Sequence, residues 1–363
     1  MNRRSFLSAA AAVGGGIVAS GQPSVNARLL AEDKPAALGV ADLITPATAS
    51  AIKSGLDSLV KKQIREGRYA GTFGVSGYSS GVAVASLAGL AFMCSGSTPL
   101  DGKYSANIRR CAEYVLRSCR DTGYIAAKNE THSSNMYGHG YAMLFLSQVY
   151  GMGMNREVKK KLSKAIELTC EIQNREGGWR YQPRKHDADL SITICQIMAL
   201  RAAHSAGFEV SNEVRERTLK YVEDCQNKNG SFNYMRRGGR QTVALAAAGV
   251  VSYYSAGIYE GERIDKALKW IFDRRPGHAN GRVVSPMNYY YAHYYAVQAM
   301  WHAQIQAPHY WNVWYPAIRD ELVNQKMAQP GIWPDHRVGQ EFGTAMSCII
   351  LQMPFNYVPV FSP

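Results

Sequence analysis

The side chains that could do chemistry in this 363-residue chain stand just before, or at the start of, apolar segments. Asp187 and Asp189 lie two residues apart ahead of one such segment. A carboxylic acid that its surroundings keep protonated could act there as a proton donor. His293 lies inside the unusual run Asn288–Tyr295. We therefore take Asp189, Asp187 and His293 as the candidate catalytic residues.

The run that contains His293 also holds five tyrosines. Aromatic rings with polar tips suit a sugar, and their faces can stabilise a cation. A packed aromatic core is the alternative for the same residues. The candidate ligand-binding residues, chosen here and at the starts of other apolar segments, are Tyr289, Tyr290, His139, Arg240 and Asp335.

Other catalytic signatures are weak. The letters of Gly77–Gly81 match a nucleophile elbow, but that elbow needs a strand and a parallel sheet, so Ser79 is predicted to cap a helix instead. The sequence has no phosphate-binding glycine loop and no His-Glu-x-x-His motif. A glycosidase pair of carboxylates stays open as an alternative, because its separation is spatial. Asp189, Asp335 and Glu341 would be its candidates.

The elements that must position these residues are helices, and they repeat. The segment Cys170–Leu200 consists of a helical run, a Gly-Gly-Trp turn and a second, more apolar helical run. Its frame, Gln-x-x-x-Gly-x-aromatic, recurs about 50 residues apart. The glycines of the six copies are Gly67, Gly123, Gly177, Gly230, Gly277 and Gly331. Such self-similarity predicts six stacked helix pairs, or twelve helices.

The two helices of a pair differ in character. The first is amphipathic, as in 214–222, whereas the second is nearly free of charge, as in 242–251. An amphipathic helix has a wet face, and a helix that is apolar all round is buried. An outer ring around an inner ring fits this alternation, and an open solenoid is the competitor. In a closed ring, the inner-helix N-termini would gather the candidate residues at one mouth.

The frame is complete at Gln173–Trp179, where it resembles the "QW" repeat of squalene–hopene cyclases and prenyltransferase β-subunits. That resemblance implies an all-α fold, an (α/α)6 toroid of six helical hairpins, over residues 46–363. It favours closure over the solenoid. It also implies that Gln173 and Trp179 are structural, since in that family they tie a turn to a neighbouring helix.

The segment His186–Ser191 is similar to a degraded form of the Asp-x-Asp-Asp motif with which cyclases protonate a polyene. Asp187 and Asp189 match its first and third positions, but Leu190 replaces the last acid. The favoured prediction is that Asp189 caps the following helix, because Asp is strongly preferred there.

The prenyltransferase resemblance implies a zinc site made from an Asp-x-Cys pair and a later histidine. Asp189 and His293 fit, but Ser191 stands where cysteine is needed, and Cys195 is a turn further on. Two ligands are too few for zinc. We expect no metal and no cofactor.

The N-terminal residues 1–27 are predicted to be a twin-arginine signal peptide. Arg3-Arg4 precedes Ser-Phe-Leu, a mild apolar stretch and a small-residue site, and a disordered basic leader is the alternative. Residues 28–45 are predicted to be a linker. The protein is therefore expected in the periplasm or cell envelope.

The net charge of +13 is scattered along the chain. Attraction to anionic glycans or to lipid headgroups, through peripheral membrane contact, is possible, whereas nucleic acid is not an expected partner of an exported chain. The seven cysteines, an odd number without Cys-x-x-Cys pairs, are expected to be mostly buried thiols.

Three functions are compatible with this sequence. The leading hypothesis is a protein whose central cavity binds an isoprenoid-like or other apolar ligand, without the standard cyclase chemistry. The second is an envelope polysaccharide lyase or hydrolase, which predicts that Tyr290, His293 and Asp335 converge on one cleft. The third is a divergent terpene cyclase with Asp189 as proton donor. Fold alone cannot choose between them.

Overall fold

The computed structural model describes residues 38–128, 135–153, 156–278 and 288–362. The predicted signal peptide and most of the predicted linker lie outside these ranges. Within them the chain has thirteen α-helices and no strand, all in the compact unit Ala36–Pro363. A short helix, α1 (Val40–Leu43), comes before the six hairpins.

The twelve predicted helices are all present and alternate in position. The outer helices are α2 (Pro46–Lys62), α4 (Ser105–Arg117), α6 (Arg156–Glu171), α8 (Asn212–Cys225), α10 (Glu262–Phe272) and α12 (Pro308–Glu321). The inner helices are α3 (Val82–Cys94), α5 (Asn135–Gly153), α7 (Leu190–Ser205), α9 (Val243–Ser255), α11 (Tyr289–Ala303) and α13 (Gln340–Gln352).

The inner helices form a closed ring. Each packs on the next, α3 on α5, α5 on α7, α7 on α9, α9 on α11 and α11 on α13, and α13 packs back on α3. The outer helices lie against this ring; α4, for example, contacts both α3 and α5. The predicted (α/α)6 toroid is therefore confirmed, and the open solenoid is wrong.

Burial follows the predicted alternation of wet and dry helices. Every residue of α9 is buried. In α8 the buried residues recur at helical spacing, Val214, Thr218, Tyr221, Val222 and Cys225. One stripe of an outer helix thus faces the ring, while an inner helix is enclosed on all sides.

Where the frame has its glutamine, that residue ties the turn to the next outer helix. The side-chain amide of Gln173 donates to the backbone carbonyl of Val214 at 2.9 Å, and that of Gln63 donates to the carbonyl of Asn107 at 3.0 Å. The indole of Trp179 donates to the carbonyl of Thr169 at the end of its own outer helix, at 2.8 Å. Gln173 and Trp179 are structural residues, as the resemblance implies.

The last turn of the chain locks onto the first hairpin. Gly331 has φ +76°, and a Cβ atom placed there would lie 2.2 Å from the carbonyl oxygen of Ser54 in α2. Only glycine allows two backbones to approach so closely in this conformation. In the first hairpin Gly71, rather than the predicted Gly67, makes the equivalent approach, 2.1 Å from the carbonyl oxygen of Arg110.

The C-terminal segment fills the ring beneath its centre. Val360 donates its backbone N–H to the side-chain oxygen of Gln148, at 3.4 Å, and Phe361 is 2% exposed. The Phe361 ring packs edge-on against Tyr294, which packs edge-on against Tyr141. This aromatic stack forms the floor of the ring's central space.

No helix of the described residues is long and apolar enough to cross a membrane.

Loss of the Gln173 side chain is expected to destabilise the toroid. In Gln173→Ala the carbonyls of Gly177 and Val214 and the hydroxyl of Thr218 lose their shared donor in a buried site. Stranded buried acceptors should lower the free energy of unfolding by about 2–3 kcal/mol. The comparison variant is Gln226→Ala, which loses an exposed bond to the carbonyl of Arg263 and a part-buried bond from the hydroxyl of Tyr253, with an expected loss of about 1–1.5 kcal/mol. Equal urea midpoints for the two variants would contradict this role.

Candidate functional site

A central cavity of about 320 Å³ opens at the N-terminal ends of the inner helices. Residues from all six hairpins line it, because each inner helix begins at this mouth. Much of the wall is tyrosine: Tyr78, Tyr137, Tyr141, Tyr181, Tyr234 and Tyr291. The cavity thus combines apolar ring faces with hydroxyl groups.

Two of the predicted ligand-binding residues, Arg240 and Asp335, line this cavity. Arg240 is exposed at the mouth, as is Arg337, which the sequence analysis did not select. The Asp335 carboxylate accepts the backbone N–H groups of Arg337 and Val338, at 2.9 and 2.7 Å. These bonds fix its turn, so that one carboxylate and two arginine side chains belong to the same cavity lining.

Asp189 lies behind the cavity wall and caps α7. It is fully buried, and its Oδ1 accepts the backbone N–H of Ile192 at 2.9 Å and the hydroxyl of Ser191 at 2.5 Å. Burial raises the pKa of this carboxyl despite those bonds and the guanidinium of Arg180, whose Nε is 3.5 Å from Oδ2. Ser191, but not Asp189, reaches the cavity.

Asp187 is in a different place. It pairs with Arg180 at 2.8 Å and with His186 at 2.8 Å, and both acid and histidine line a separate depression of about 280 Å³. Burial opposes ionisation of Asp187, but the hydrogen bond from His186 and the charge of Arg180 outweigh it and lower the pKa. The two acids of the motif therefore do not meet in one pocket.

The two predicted histidines belong to the packed core. His139 accepts the backbone N–H of Ile125 at 3.1 Å through Nδ1, and its Nε2 lies 2.9 Å from the hydroxyl of Thr169. His293 packs its ring against Tyr289 and Trp314. Burial lowers the pKa of each imidazole to about 3, so both are neutral at physiological pH.

Tyr289 and Tyr290 also pack in the protein core and do not line the cavity. Both are buried, and the Tyr290 hydroxyl donates to the carbonyl of Pro334 at 3.1 Å. At the start of α11 it is the N-cap residue Asn288 and Tyr291 that line the cavity. Of the three residues that the polysaccharide-enzyme hypothesis brings together, Tyr290, His293 and Asp335, only Asp335 lines the cavity.

Two of the site residues that the sequence analysis missed, Tyr137 and Tyr141, are four apart on α5. A third, Tyr291, is three residues after Asn288, which also lines the cavity. Residues at these spacings lie on one face of a helix. The spacing was a usable signal, but it also fits a packed core.

The described residues contain no group of three or more His, Cys, Asp or Glu side chains that could hold a metal ion. Cys195, the nearest match to the expected zinc cysteine, instead has its sulfur 3.1 Å from the hydroxyl of Tyr295. All seven cysteines are free thiols, most of them buried.

Comparison with known proteins places this fold in context. Residues 106–279 match the family model of the prenyltransferase alpha-alpha toroid domain. No curated protein matches the sequence.

Three solved structures illustrate how widely this fold is used. Cellobiose 2-epimerase from Bacillus thermoamylovorans has a TM-score of 0.64 at 10% identity, over 85% of this chain and 98% of its own. A GH76 α-mannanase from Bacteroides thetaiotaomicron has a TM-score of 0.60 at 12% identity, over 85% and 96%. A type II terpene cyclase from Scytonema, in complex with merosterolic acid A, has a TM-score of 0.54 at 12% identity, over 84% and 96%. At these identities the likeness concerns the fold alone.

Proposed function

We propose that the central cavity of this chain binds an apolar, isoprenoid-like small molecule. For this proposal we take residues 106–279 to be a prenyltransferase α/α-toroid domain. The observation that carries the proposal is the tyrosine-rich wall contributed by all six hairpins. Aromatic faces offer large apolar contact areas. A cavity of about 320 Å³ also lies at the small end of the range for ligand pockets, about 300–1,000 Å³.

The position of Asp189 argues for binding rather than cyclase chemistry. A proton donor to a polyene must touch the double bond that it protonates. Asp189 is separated from the cavity by Ser191 and uses Oδ1 to cap α7. A divergent cyclase with Asp189 as proton donor is therefore the weakest of the three hypotheses.

The second candidate is an enzyme acting on an envelope polysaccharide. The observation in its favour is the polar mouth, where Arg240, Arg337 and Asp335 stand beside tyrosine rings on which a sugar could stack. Two of the similar folds, the cellobiose 2-epimerase and the α-mannanase, carry sugar-related names. A glycan would then occupy the mouth rather than the floor of the cavity.

We also propose that the protein is exported through the twin-arginine route and works in the periplasm or cell envelope. The support is the N-terminal sequence Arg3-Arg4-Ser5-Phe6-Leu7 and the small-residue site before residue 28. A fusion of residues 1–35 to a reporter should be exported, and an Arg3→Lys, Arg4→Lys double variant should not.

Native mass spectrometry on protein purified without detergent tests the ligand proposal. A retained adduct of lipid mass is expected. Ala83 lines the cavity and is half-buried, so Ala83→Trp should fill the space and abolish the adduct, whereas Ala83→Ser should keep it. Bare protein that instead binds oligosaccharides would favour the second candidate. Squalene turnover that disappears in Asp189→Asn would contradict the binding role and favour the third.

A further inference from the structure

Two cavity tyrosines are anchored on one residue, Ser191. The hydroxyl of Tyr137 lies 2.7 Å from the Ser191 hydroxyl, and the hydroxyl of Tyr291 donates to the Ser191 backbone carbonyl at 2.8 Å. The two rings meet edge-on, with centroids 6.0 Å apart. All three residues line the central cavity. Both hydroxyl groups are therefore held in place on residues that line the space a ligand would fill.

The directions of these hydrogen bonds can be assigned, because each hydroxyl has a single proton. Ser191 donates its proton to Oδ1 of Asp189 at 2.5 Å, so it must accept the proton of Tyr137. Oδ1 also accepts the N–H of Ile192 and remains an acceptor even if a proton sits on Oδ2. With an added proton on Oδ2, the direction is the same in both charge states of Asp189.

The consequence is a surface that can only accept hydrogen bonds. The proton of Tyr137 points to Ser191 and the proton of Tyr291 points to a backbone carbonyl, so a ligand that reaches either oxygen meets only lone pairs. The hydroxyl of Ser191 likewise donates its proton in a hydrogen bond to Asp189. We call Tyr137, Tyr291 and Ser191 the acceptor wall.

We propose that the ligand of this cavity carries a hydroxyl group that donates a hydrogen bond to the acceptor wall, at Tyr137. This deepens the proposed function, on which it rests, by naming the ligand as an alcohol rather than a hydrocarbon, an ether or an ester. An acceptor left without a donor in a desolvated pocket is costly, so a site built to pair with a hydroxyl rejects analogues that lack one.

The test compares farnesol with farnesyl methyl ether, two probes that differ only in the donor. Dissociation constants are measured by calorimetry on the full chain. Farnesol is expected to bind at least about tenfold more tightly, the equivalent of about 1.4 kcal/mol. In Tyr137→Phe this preference should fall to about twofold or less. The control Tyr357→Phe, on an exposed ring in the C-terminal segment, should keep it.

A second variant tests the direction of the hydrogen bonds rather than the presence of the ring. Ser191→Ala frees the proton of Tyr137, which can then turn to donate to an ether oxygen, so the methyl ether should gain affinity relative to farnesol. A merely structural role for Ser191 would weaken both probes equally. Equal weakening, or a preference that survives Tyr137→Phe, would overturn the proposal.

Phenol and anisole separate this proposal from the proposed function, since neither probe is an isoprenoid. If farnesol does not bind but phenol is preferred over anisole in a manner that requires Tyr137, the acceptor wall stands and the isoprenoid ligand is wrong. If anisole binds as well as phenol, or if none of the four probes binds, the acceptor wall is overturned.

Discussion

A Gly177→Ala variant is expected to lose about 2–5 kcal/mol of unfolding free energy, from backbone strain and from overpacking together. Gly177 has φ +96°, a conformation that L-residues adopt at a cost. A Cβ atom there would lie 2.0 Å from the carbonyl oxygen of Arg217 in the next outer helix, which cannot move without breaking the contact between hairpins.

The matched control is Gly67→Ala. Gly67 also has a positive φ, +75°, but a Cβ atom there would meet nothing within 4 Å. Its loss should be the strain alone, about 1–2 kcal/mol. Chemical denaturation of both variants measures the difference. Similar losses would mean that the close approach between hairpins carries no energy beyond the backbone strain.

Acidification is expected to destabilise the toroid through three buried histidines. Burial lowers the pKa of His139, His293 and His302 to about 3 in the folded protein, against an ordinary value of 6.5. Between these values the unfolded chain binds more protons, so stability is present above pH 6.5 and is lost as the pH falls below it. From pH 7 to pH 5 the loss should be about 2 kcal/mol for each histidine.

Urea unfolding at several pH values checks this expectation. A His302→Gln variant should lose about a third of the pH dependence, since one of three contributing groups is gone. His204→Gln is the control, because His204 is exposed. An unchanged slope in His302→Gln, or a slope reduced equally by His204→Gln, would show that the buried imidazoles do not cause the acid sensitivity.

The sequence by itself determined the fold. The repeated frame marks where each outer helix ends, and charge is concentrated in the first helix of each pair, so the number, order and layering of the helices are local properties. α8, for example, ends at Cys225, directly before the repeated Gln226. Closure of the ring was also predictable from the sequence, because the sixth turn has the frame's glycine. That residue, Gly331, lies against the backbone of α2.

The two acids show where local reasoning stopped. The preference of Asp for helix caps predicted the role of Asp189 correctly, since a cap depends only on the residues that follow it. What the sequence left undecided was that Ser191 would stand between this carboxylate and the cavity. That depends on how α7 is rotated about its own axis in the ring.

Only the tertiary structure decided which side chains form the cavity. In the run 288–295, Asn288 and Tyr291 line the cavity. Tyr289, Tyr290 and His293 are buried in the core behind that lining. Helical spacing shows which of these residues share a face. It cannot show which face points inward, because an inner helix is apolar on every side and its pattern has no wet face to fix its rotation. That rotation is set by packing against both ring neighbours, which are distant in sequence.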